Sequence, residues 1–332
     1  MSGVVNGLVL IDAPHSALNN AGLDSGLGTE NAVAVKVLRR GRSVYPYVSP
    51  QAWRYWWRNA LMQKRGWHMS PVEINKKIAY TAADPFKYPD DDVFGYMRAE
   101  KRTTLTRLSP LKCSPLVSVT PQVPVQDFGV MARQEGDPVP YEHQFYSTVL
   151  KGIFSLDLDM VGRFTAINKT GYKNIDQIKQ EWRDSGAVVD KDEVKMPVKT
   201  RAERAADVIK VLPYMAGGAK QTGHLTDVTP KFLILLILDG GNHILMNVVN
   251  EREGQVHINL EALKEVLVDY SRDVLSPVFI GRRKGFMDEI DESLREFTQQ
   301  SLDGVEVRYG SINEMVEAFV GCVAEYYGTH GS

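Results

Sequence analysis

The side chains of this chain best placed to do chemistry are cations next to free backbone amides, and they gather within residues 35–64. Ser49 and Pro50 predict the start of a helix there, since serine is favoured at the N-cap and proline at the first helical position. The N–H groups of such a start attract anions. The basic side chains that precede it are Lys36, Arg39, Arg40 and Arg42. Together they predict a site for a polyanion, and a nucleic-acid backbone is the simplest candidate.

The helix that follows Ser49 has two distinct faces. Its apolar residues recur every three or four positions, which predicts one buried stripe in preference to an exposed platform for stacking bases. They are Trp53, Trp56, Trp57, Ala60 and Leu61. Arg54 and Arg58 lie four residues apart on another face, where they either contact the polyanion or form ordinary surface salt bridges.

The composition fits one large or two ordinary globular domains and limits where a polyanion can bind. The chain has 332 residues, 43% of them hydrophobic, and a formal net charge of −2. It is therefore no general polycation, and its basic residues must be concentrated on one face. The longest apolar run, at 232–238, is too short to span a bilayer and no signal peptide is recognised. We therefore expect a cytoplasmic protein with no membrane partner.

Two glycine-rich loops allow a ligand to approach the backbone closely. The first covers residues 14–31, and the second has the sequence GGAKQTGH at 217–224. The second loop lacks the Gly-Lys-Ser/Thr ending of a phosphate-binding P-loop. It is therefore either a contact for an RNA backbone or a plain turn between a helix and a strand.

The order of predicted elements indicates an α+β fold with an antiparallel or mixed sheet and helices on one face, of ferredoxin-like or RRM-like type. The remaining segments read as insertions into a single module over residues 1–332. They are a weakly structured insert at 66–107, a proline-rich hairpin at 111–141 and a second insert at 165–200. Residues 239–242 are expected to form a hairpin turn between strands at 231–238 and 244–249. Asn259 and Ser311 are expected to cap two later helices, at 260–270 and 312–327.

Three long stretches carry a resemblance to a known family. They read SALNNAGLDSGLGTENAVAVKVLRRGRSVYPYVSPQAWRYWWRNAL, then SPLKCSPLVSV…QDFGV…VPYEHQFYSTVLKGIFSLDLDMVGRF, then GGAKQTGHLTDVTPKFLILLILDGGNH. In this order they resemble the backbone subunit of type I CRISPR surveillance complexes (Cascade), in the DevR-like, type I-B branch of the RAMP superfamily. The stretches span most of residues 8–245, and the C-terminal third adds little.

The resemblance implies a hand-shaped, non-catalytic protein that binds guide crRNA. An RRM-like palm carries finger inserts and a β-hairpin thumb, and copies of the chain stack along the RNA spacer, which pairs with a target DNA strand. Other Cascade subunits are further implied partners. Phe128 and Met131 of the thumb either wedge between bases or pack against a neighbouring copy. The other predicted RNA-binding residues are Asn19, Asn20, Lys36, Arg39, Arg40, Arg42, Ser49, Gln51, Arg54, Arg58, Lys220 and Gln221.

Two alternative functions stay open. A metal-dependent ribonuclease on the same fold would use Asp24 in the first glycine-rich loop, as a loop aspartate does in related type III complexes. A small-molecule α/β enzyme would use the second glycine-rich loop as a phosphate cradle. Neither has an evident set of acid–base partners, and the seven histidines and two cysteines match no metal-ligand spacing. We therefore expect no catalytic residue, no metal and no cofactor.

Overall fold

The computed structural model describes residues 2–23, 32–75, 78–99, 104–133 and 135–331. Its strands are β1 (Gly3–Ser16), β2 (Asn20–Leu23), β3 (Ala32–Val35), β4 (Val37–Arg40), β5 (Ser43–Val48), β6 (Val72–Asn75), β7 (Ile78–Thr81), β8 (Tyr96–Ala99), β9 (Thr104–Arg107), β10 (Leu111–Cys113), β11 (Leu116–Ser118), β12 (Val125–Met131), β13 (Val139–Asp157), β14 (Arg163–Thr165), β15 (Val188–Asp190), β16 (Glu193–Lys195), β17 (Phe232–Asp239), β18 (Val249–Arg252), β19 (Gln255–Ile258), β20 (Val278–Arg282) and β21 (Val307–Gly310).

The helices of the described residues are α1 (Pro50–Arg65), α2 (Pro89–Phe94), α3 (Gln180–Asp184), α4 (Val198–Lys210), α5 (Gln221–His224), α6 (Leu260–Asp269), α7 (Asp291–Phe297) and α8 (Ile312–His330). Two short 3-10 turns cover Leu212–Tyr214 and Asp288–Ile290.

A large mixed sheet forms the centre of the protein, in the order β21-β20-β17-β1-β13-β11-β5-β4. Strand β1 pairs antiparallel with both β13 and β17. At one edge, β20 and β21 pair in parallel. The prediction of an α+β fold built on a mixed sheet is confirmed.

Helices cover both faces of this sheet, and the prediction of helices on one face is wrong. On one side, Val5 and Val9 of β1 pack into a core with α1, α4 and α8. On the other side, Leu8 and Leu10 pack into a second core with α6 and α7. The reason is visible in β1, where residues 3–11 are all buried. An unbroken buried run is typical of a strand that is covered on both sides.

Helix α1 follows the sequence prediction closely. Ser49 is its N-cap, with Oγ accepting a hydrogen bond from the Ala52 N–H at 3.4 Å, and Pro50 begins the helix. Its buried residues are the five of the predicted apolar stripe. Trp57 Nε1 donates to the Val208 carbonyl at 2.8 Å, which fixes α1 against α4. The stripe is therefore part of the core, as predicted.

The acidic segment within 66–107 is held firmly, so the prediction that it has little structure of its own is wrong. Helix α2 buries Asp92 completely. Its carboxylate accepts hydrogen bonds from Arg107 and, at 2.7 Å, from Arg204. The Gly162 N–H also donates to it at 3.0 Å. A buried carboxylate with two guanidinium partners ties the segment to β9 and α4.

The segment 111–141 is divided between the sheet and an exposed pair of strands. β10 and β11 pair with β13 inside the central sheet. β12 pairs with the outer half of β13, from Val125↔Phe145 to Met131↔Val139, and this pair is called the ribbon below. The segment 165–200 contributes to a small sheet in the order β14-β16-β15, which has a hydrophobic core of its own.

In the C-terminal part, two predicted caps are confirmed and one predicted hairpin is wrong. Asn259 caps α6, and Ser311 caps α8 with a capping box to Glu314. Residues 244–248 form turns instead of a strand. Ile244 and Leu245 are apolar because they fill the second core. The pairing partner of β17 on that side is β20, far along the chain.

Candidate nucleic-acid interface

Asn19 joins the basic arm, residues 36–42, to the start of helix α1. Its Oδ1 accepts a hydrogen bond from the Ser49 N–H at 2.9 Å, and its carbonyl accepts one from the Lys36 N–H at 3.0 Å. Gln51 is exposed in the first turn of α1, and within the described residues its N–H has no acceptor. Asn20 opens β2 and pairs with Val35. Five predicted contact residues are therefore brought to one place, around an open helix start.

The basic arm forms the edge hairpin β4–β5, with Gly41 in a left-handed conformation (φ 60°) at its turn. Arg39, Arg40 and Arg42 are exposed at this tip. The Arg40 guanidinium lies over the Tyr45 ring, 5.2 Å from its centroid. Neither these three arginines nor Lys36 makes an ion pair with any residue that the structure describes. No carboxylate in the part of the chain that the structure describes therefore pairs with these cations.

The second glycine-rich loop is fixed beside the same asparagine. The Ala219 N–H donates to the Leu18 carbonyl at 2.9 Å. Gly217 is needed there because a Cβ would lie 2.2 Å from Cδ1 of Trp56. Lys220 is exposed at the loop's end, whereas the Gln221 side chain donates to the Gly217 carbonyl and so shapes the loop. The loop therefore adds a further cation to the group around Asn19.

Arg54 and Arg58 turn toward the protein. Arg54 donates to the carbonyls of Leu111 and Phe94, the latter at 2.7 Å, and to Ser109 Oγ at 3.1 Å. Arg58 stacks on the Phe94 ring at 4.1 Å. Burial, with the nearby Arg54 charge second, lowers the pKa of Arg58 to about 10. Both arginines thus serve the packing of α2 against α1, and their predicted contact with RNA stays a prediction.

The ribbon presents the two predicted thumb side chains on opposite sides. Phe128 pairs with Glu142 and Met131 pairs with Val139, and the exposed fractions of the two are 60% and 53%. Neighbouring residues of a strand point to opposite faces, so positions 128 and 131 face different ways. One side chain can therefore face a bound strand only while the other faces away from it.

A cluster of rings at the base of the ribbon was missed by sequence reasoning. The ring centroids of His15 and His224 are 6.5 Å apart, and those of His143 and His224 are 5.5 Å apart. Phe145 lies 5.8 Å from His224. Burial, and then the charges of Lys220 and His224, lower the pKa of His143, although Asp127 opposes them. The three histidines come from β1, β13 and α5, so no spacing in the sequence predicts that their rings lie close together.

The ribonuclease alternative, a metal site and a membrane span can be examined only in the described residues. Asp24, on which the ribonuclease alternative rests, lies outside the described residues. Among those that are described, no group of three or more His, Cys, Asp or Glu side chains is arranged to hold a metal ion. None of the helices in the described ranges has both the length and the apolar character needed to cross a membrane.

Comparison with known proteins identifies the family of the chain. The family model described as "CRISPR-associated negative auto-regulator DevR/Csa2" matches residues 15–253. The chain belongs to the DevR/Csa2 family. The family match includes β4, β5, the start of α1, the ribbon and the second glycine-rich loop, and it ends before α6. The resemblance recognised in the sequence is therefore confirmed, and no curated protein matches the DevR/Csa2 chain significantly.

Two solved structures share the fold of this DevR/Csa2 chain. One is titled "CRISPR RNA-guided surveillance complex", with a TM-score of 0.55, 13% sequence identity and coverage of 96% of this chain and 98% of the other. The second is titled "CRISPR RNA-guided surveillance complex, pre-nicking", with a TM-score of 0.58, 13% identity and coverage of 96% and 100%. At this identity the likeness concerns the fold, and it extends over nearly the whole of each chain.

Proposed function

We propose that this chain is a non-catalytic subunit that binds guide RNA and stacks in several copies along it, leaving bases free to pair with a target DNA strand. One observation carries the proposal. The Asn19 region joins a helix start, a basic hairpin whose cations have no ion-pair partner among the described residues, and a glycine-rich loop with an exposed lysine. Cations and backbone N–H groups are the groups with which proteins hold phosphates.

The extent of this surface favours a polymer over a small anion. The cations follow the edge hairpin from Lys36 to Arg42 and continue across Asn19 to Lys220. Such a row matches a chain of phosphates, whereas a small phosphate ligand needs donors that converge on one point. Recognition of backbone and shape also suits a guide whose sequence must be free to vary.

The parts of a hand can be assigned on this basis. The central sheet serves as an RRM-like palm, the ribbon as the thumb, and the segments 66–107 and 165–200 as fingers. Because Phe128 and Met131 point to opposite faces, the ribbon can both wedge between bases and pack against a neighbouring copy. One side chain touches the RNA and the other touches the neighbouring copy, so that binding RNA and stacking copies use the same ribbon.

The experiment compares charge reversals on this surface with matched reversals elsewhere. Lys36→Glu with Lys220→Glu should lower the RNA that copurifies with the protein at least tenfold, because exposed phosphate contacts are lost. Lys199→Glu with Arg272→Glu changes the net charge equally at two exposed positions and should retain RNA. The affinity of the unchanged protein for RNA should fall steeply with salt. Equal RNA retention by the two variants, or a compact RNA-free monomer at low salt, would contradict the proposal.

A further inference from the structure

The outward side of strand β5 carries two tyrosines that neither core uses. Burial alternates along β5, with Val44, Pro46 and Val48 buried and Tyr45 and Tyr47 half-buried between them. Val48 belongs to the core that α1 covers, so the tyrosines point to the other face of the sheet. Neither tyrosine belongs to the hydrophobic core on that face. The two half-buried rings therefore lie on the same side of the sheet, outside both hydrophobic cores.

The register shows which side chains surround these rings. Tyr47 pairs with Val117, and Val117 pairs with Lys151 on the following strand. Tyr45 pairs with Leu38 of the edge strand. We call Leu38, Tyr45, Tyr47, Val117 and Lys151 the outer sheet face. Within the described residues, neither tyrosine hydroxyl makes a hydrogen bond.

Cations stand at both ends of this face. Arg40 lies over the Tyr45 ring, and the Tyr47 N–H donates to the Lys36 carbonyl at 3.0 Å. Lys151 Nζ donates to the carbonyls of Met246 and Val249, and among the described residues it has no carboxylate partner. Burial, and then the charge of Arg40, lower the pKa of Lys151, so the two cations are close enough to repel. An anion that entered between them would relieve that repulsion.

We propose that Tyr45 and Tyr47 stack on bases of the guide RNA as it passes from the Asn19 site along the hairpin β4–β5, with Lys36 and Arg40 holding the flanking phosphates. The inference rests on the proposed function. Lys36 belongs both to the Asn19 site and to the end of the outer sheet face, so the two surfaces are continuous. Aromatic rings between cations are the usual means of holding a single strand without reading its sequence.

The spacing of the rings sets how many bases they hold. Residues two apart in a strand are separated by about 7 Å. This is too far for one base to cover both rings, so each tyrosine takes a base of its own. A protein partner is less well matched, because it would need carboxylates for Arg40 and Lys151 as well as an apolar surface.

The test measures the affinity of the chain for a single-stranded guide RNA by fluorescence anisotropy over a range of salt concentrations. Tyr45→Leu with Tyr47→Leu keeps apolar bulk but removes both rings, and affinity should fall about tenfold or more, since stacking contributes about 1–3 kcal/mol per base. Tyr45→Phe with Tyr47→Phe keeps the rings and should bind like the unchanged protein. Tyr55→Leu removes a ring that is 62% exposed on α1 and should also leave affinity unchanged.

The salt dependence separates this inference from the proposed function. The leucine variant should keep the slope of affinity against salt, because no phosphate contact is removed, whereas Lys36→Glu with Lys220→Glu should reduce it. If the leucine variant binds RNA within twofold of the unchanged protein while the lysine variant loses RNA, the inference is wrong and the proposed function stands. Loss of RNA binding in neither variant would refute both.

Two further measurements test whether the face docks protein and whether the leucine variant folds. If the leucine variant binds RNA normally but no longer assembles with copies of itself, the face docks protein and the inference is overturned. Thermal denaturation checks that the double variant folds. If it does not, Tyr45→Leu and Tyr47→Leu are measured singly, and two folded single variants with unchanged affinity overturn the inference equally.

Discussion

The Oδ1 atom of Asn19 accepts a hydrogen bond from the backbone N–H of Ser49 at 2.9 Å, so a residue just after β1 holds the N-cap of α1, thirty residues further along the chain. Because Ser49 is the N-cap, this bond also orients the first turn of α1 and its exposed Gln51. The interface with a polyanion thus depends on a contact that is part of the fold.

Replacing Asn19 should therefore weaken stability and RNA binding together. Asn19→Ala removes the acceptor for the Ser49 N–H, and we expect the free energy of unfolding to fall by about 1–2 kcal/mol. Urea denaturation measures this loss, and copurifying RNA should fall with it. Asn20→Ala is the stability control, since the structure gives the Asn20 side chain no hydrogen bond within the described residues. Equal unfolding free energies for the two variants would show that the Asn19 bond contributes little.

Gly217 should tolerate no side chain. Gly217→Ala places a Cβ 2.2 Å from the Trp56 ring at a backbone φ of 153°. We expect a loss of about 1–3 kcal/mol in the free energy of unfolding, because the ring belongs to the rigid core. Thermal denaturation provides the measurement. Gly223→Ala lies in the same region with nothing within 4 Å of the added Cβ, and it should be nearly neutral.

The buried carboxylate of Asp92 should be among the most sensitive positions in the chain. Asp92→Asn leaves the guanidinium groups of Arg107 and Arg204 buried without their counter-charge. Breaking such a network costs about 3–5 kcal/mol. Asp176→Asn removes an exposed partner of Lys173 and should cost less than about 1 kcal/mol. Similar unfolding midpoints for the two variants in urea would argue that Asp92 contributes no more than a surface charge.

Stability should fall as the solution is acidified, partly because of His243. Its Nε2 lies 3.0 Å from the Phe154 carbonyl and 3.2 Å from the Gly7 carbonyl, while its buried Nδ1 has no partner among the described residues. Burial lowers the pKa of His243 although the carbonyls oppose this. The unfolded chain then binds the proton more readily, so the stabilising contribution is present above about pH 6.5 and is lost as pH falls through the lowered folded pKa.

Unfolding free energies at about pH 7.5 and about pH 5.5 test this sign. His243→Gln should show a smaller loss between the two pH values than the unchanged protein. His68→Gln, at an exposed histidine, should show the same loss as the unchanged protein. A steeper loss in the His243 variant would reverse the assigned sign.

Local patterns were enough to predict the parts of the site that one stretch of chain builds. The cap at Ser49 and the stripe of three tryptophans follow from residue type and helical spacing, and the structure shows both. The caps at Asn259 and Ser311 follow for the same reason. The apolar run at residues 7–11 of β1 signals two covered faces, although the sequence-based fold placed helices on only one.

What sequence reasoning missed depends on contacts between distant segments. Arg54 of α1 donates to the Leu111 carbonyl of β10, so an arginine predicted to lie on the helix surface instead holds two elements together. The meeting of His15, His143 and His224 likewise depends on where β13 and α5 end beside β1. No sequence pattern predicts either feature, because the residues involved are far apart in the chain and meet only in the folded structure.

Strand β13 has a mechanical consequence. It runs without interruption for 19 residues, about 60 Å at the usual rise per residue, from the tip of the ribbon to the middle of the sheet. The ribbon and the central sheet thus share one continuous strand. A force applied at the tip of the ribbon would therefore be transmitted to the hydrogen bonds between β1 and β13. The ribbon should bend along its length instead of rotating about its base.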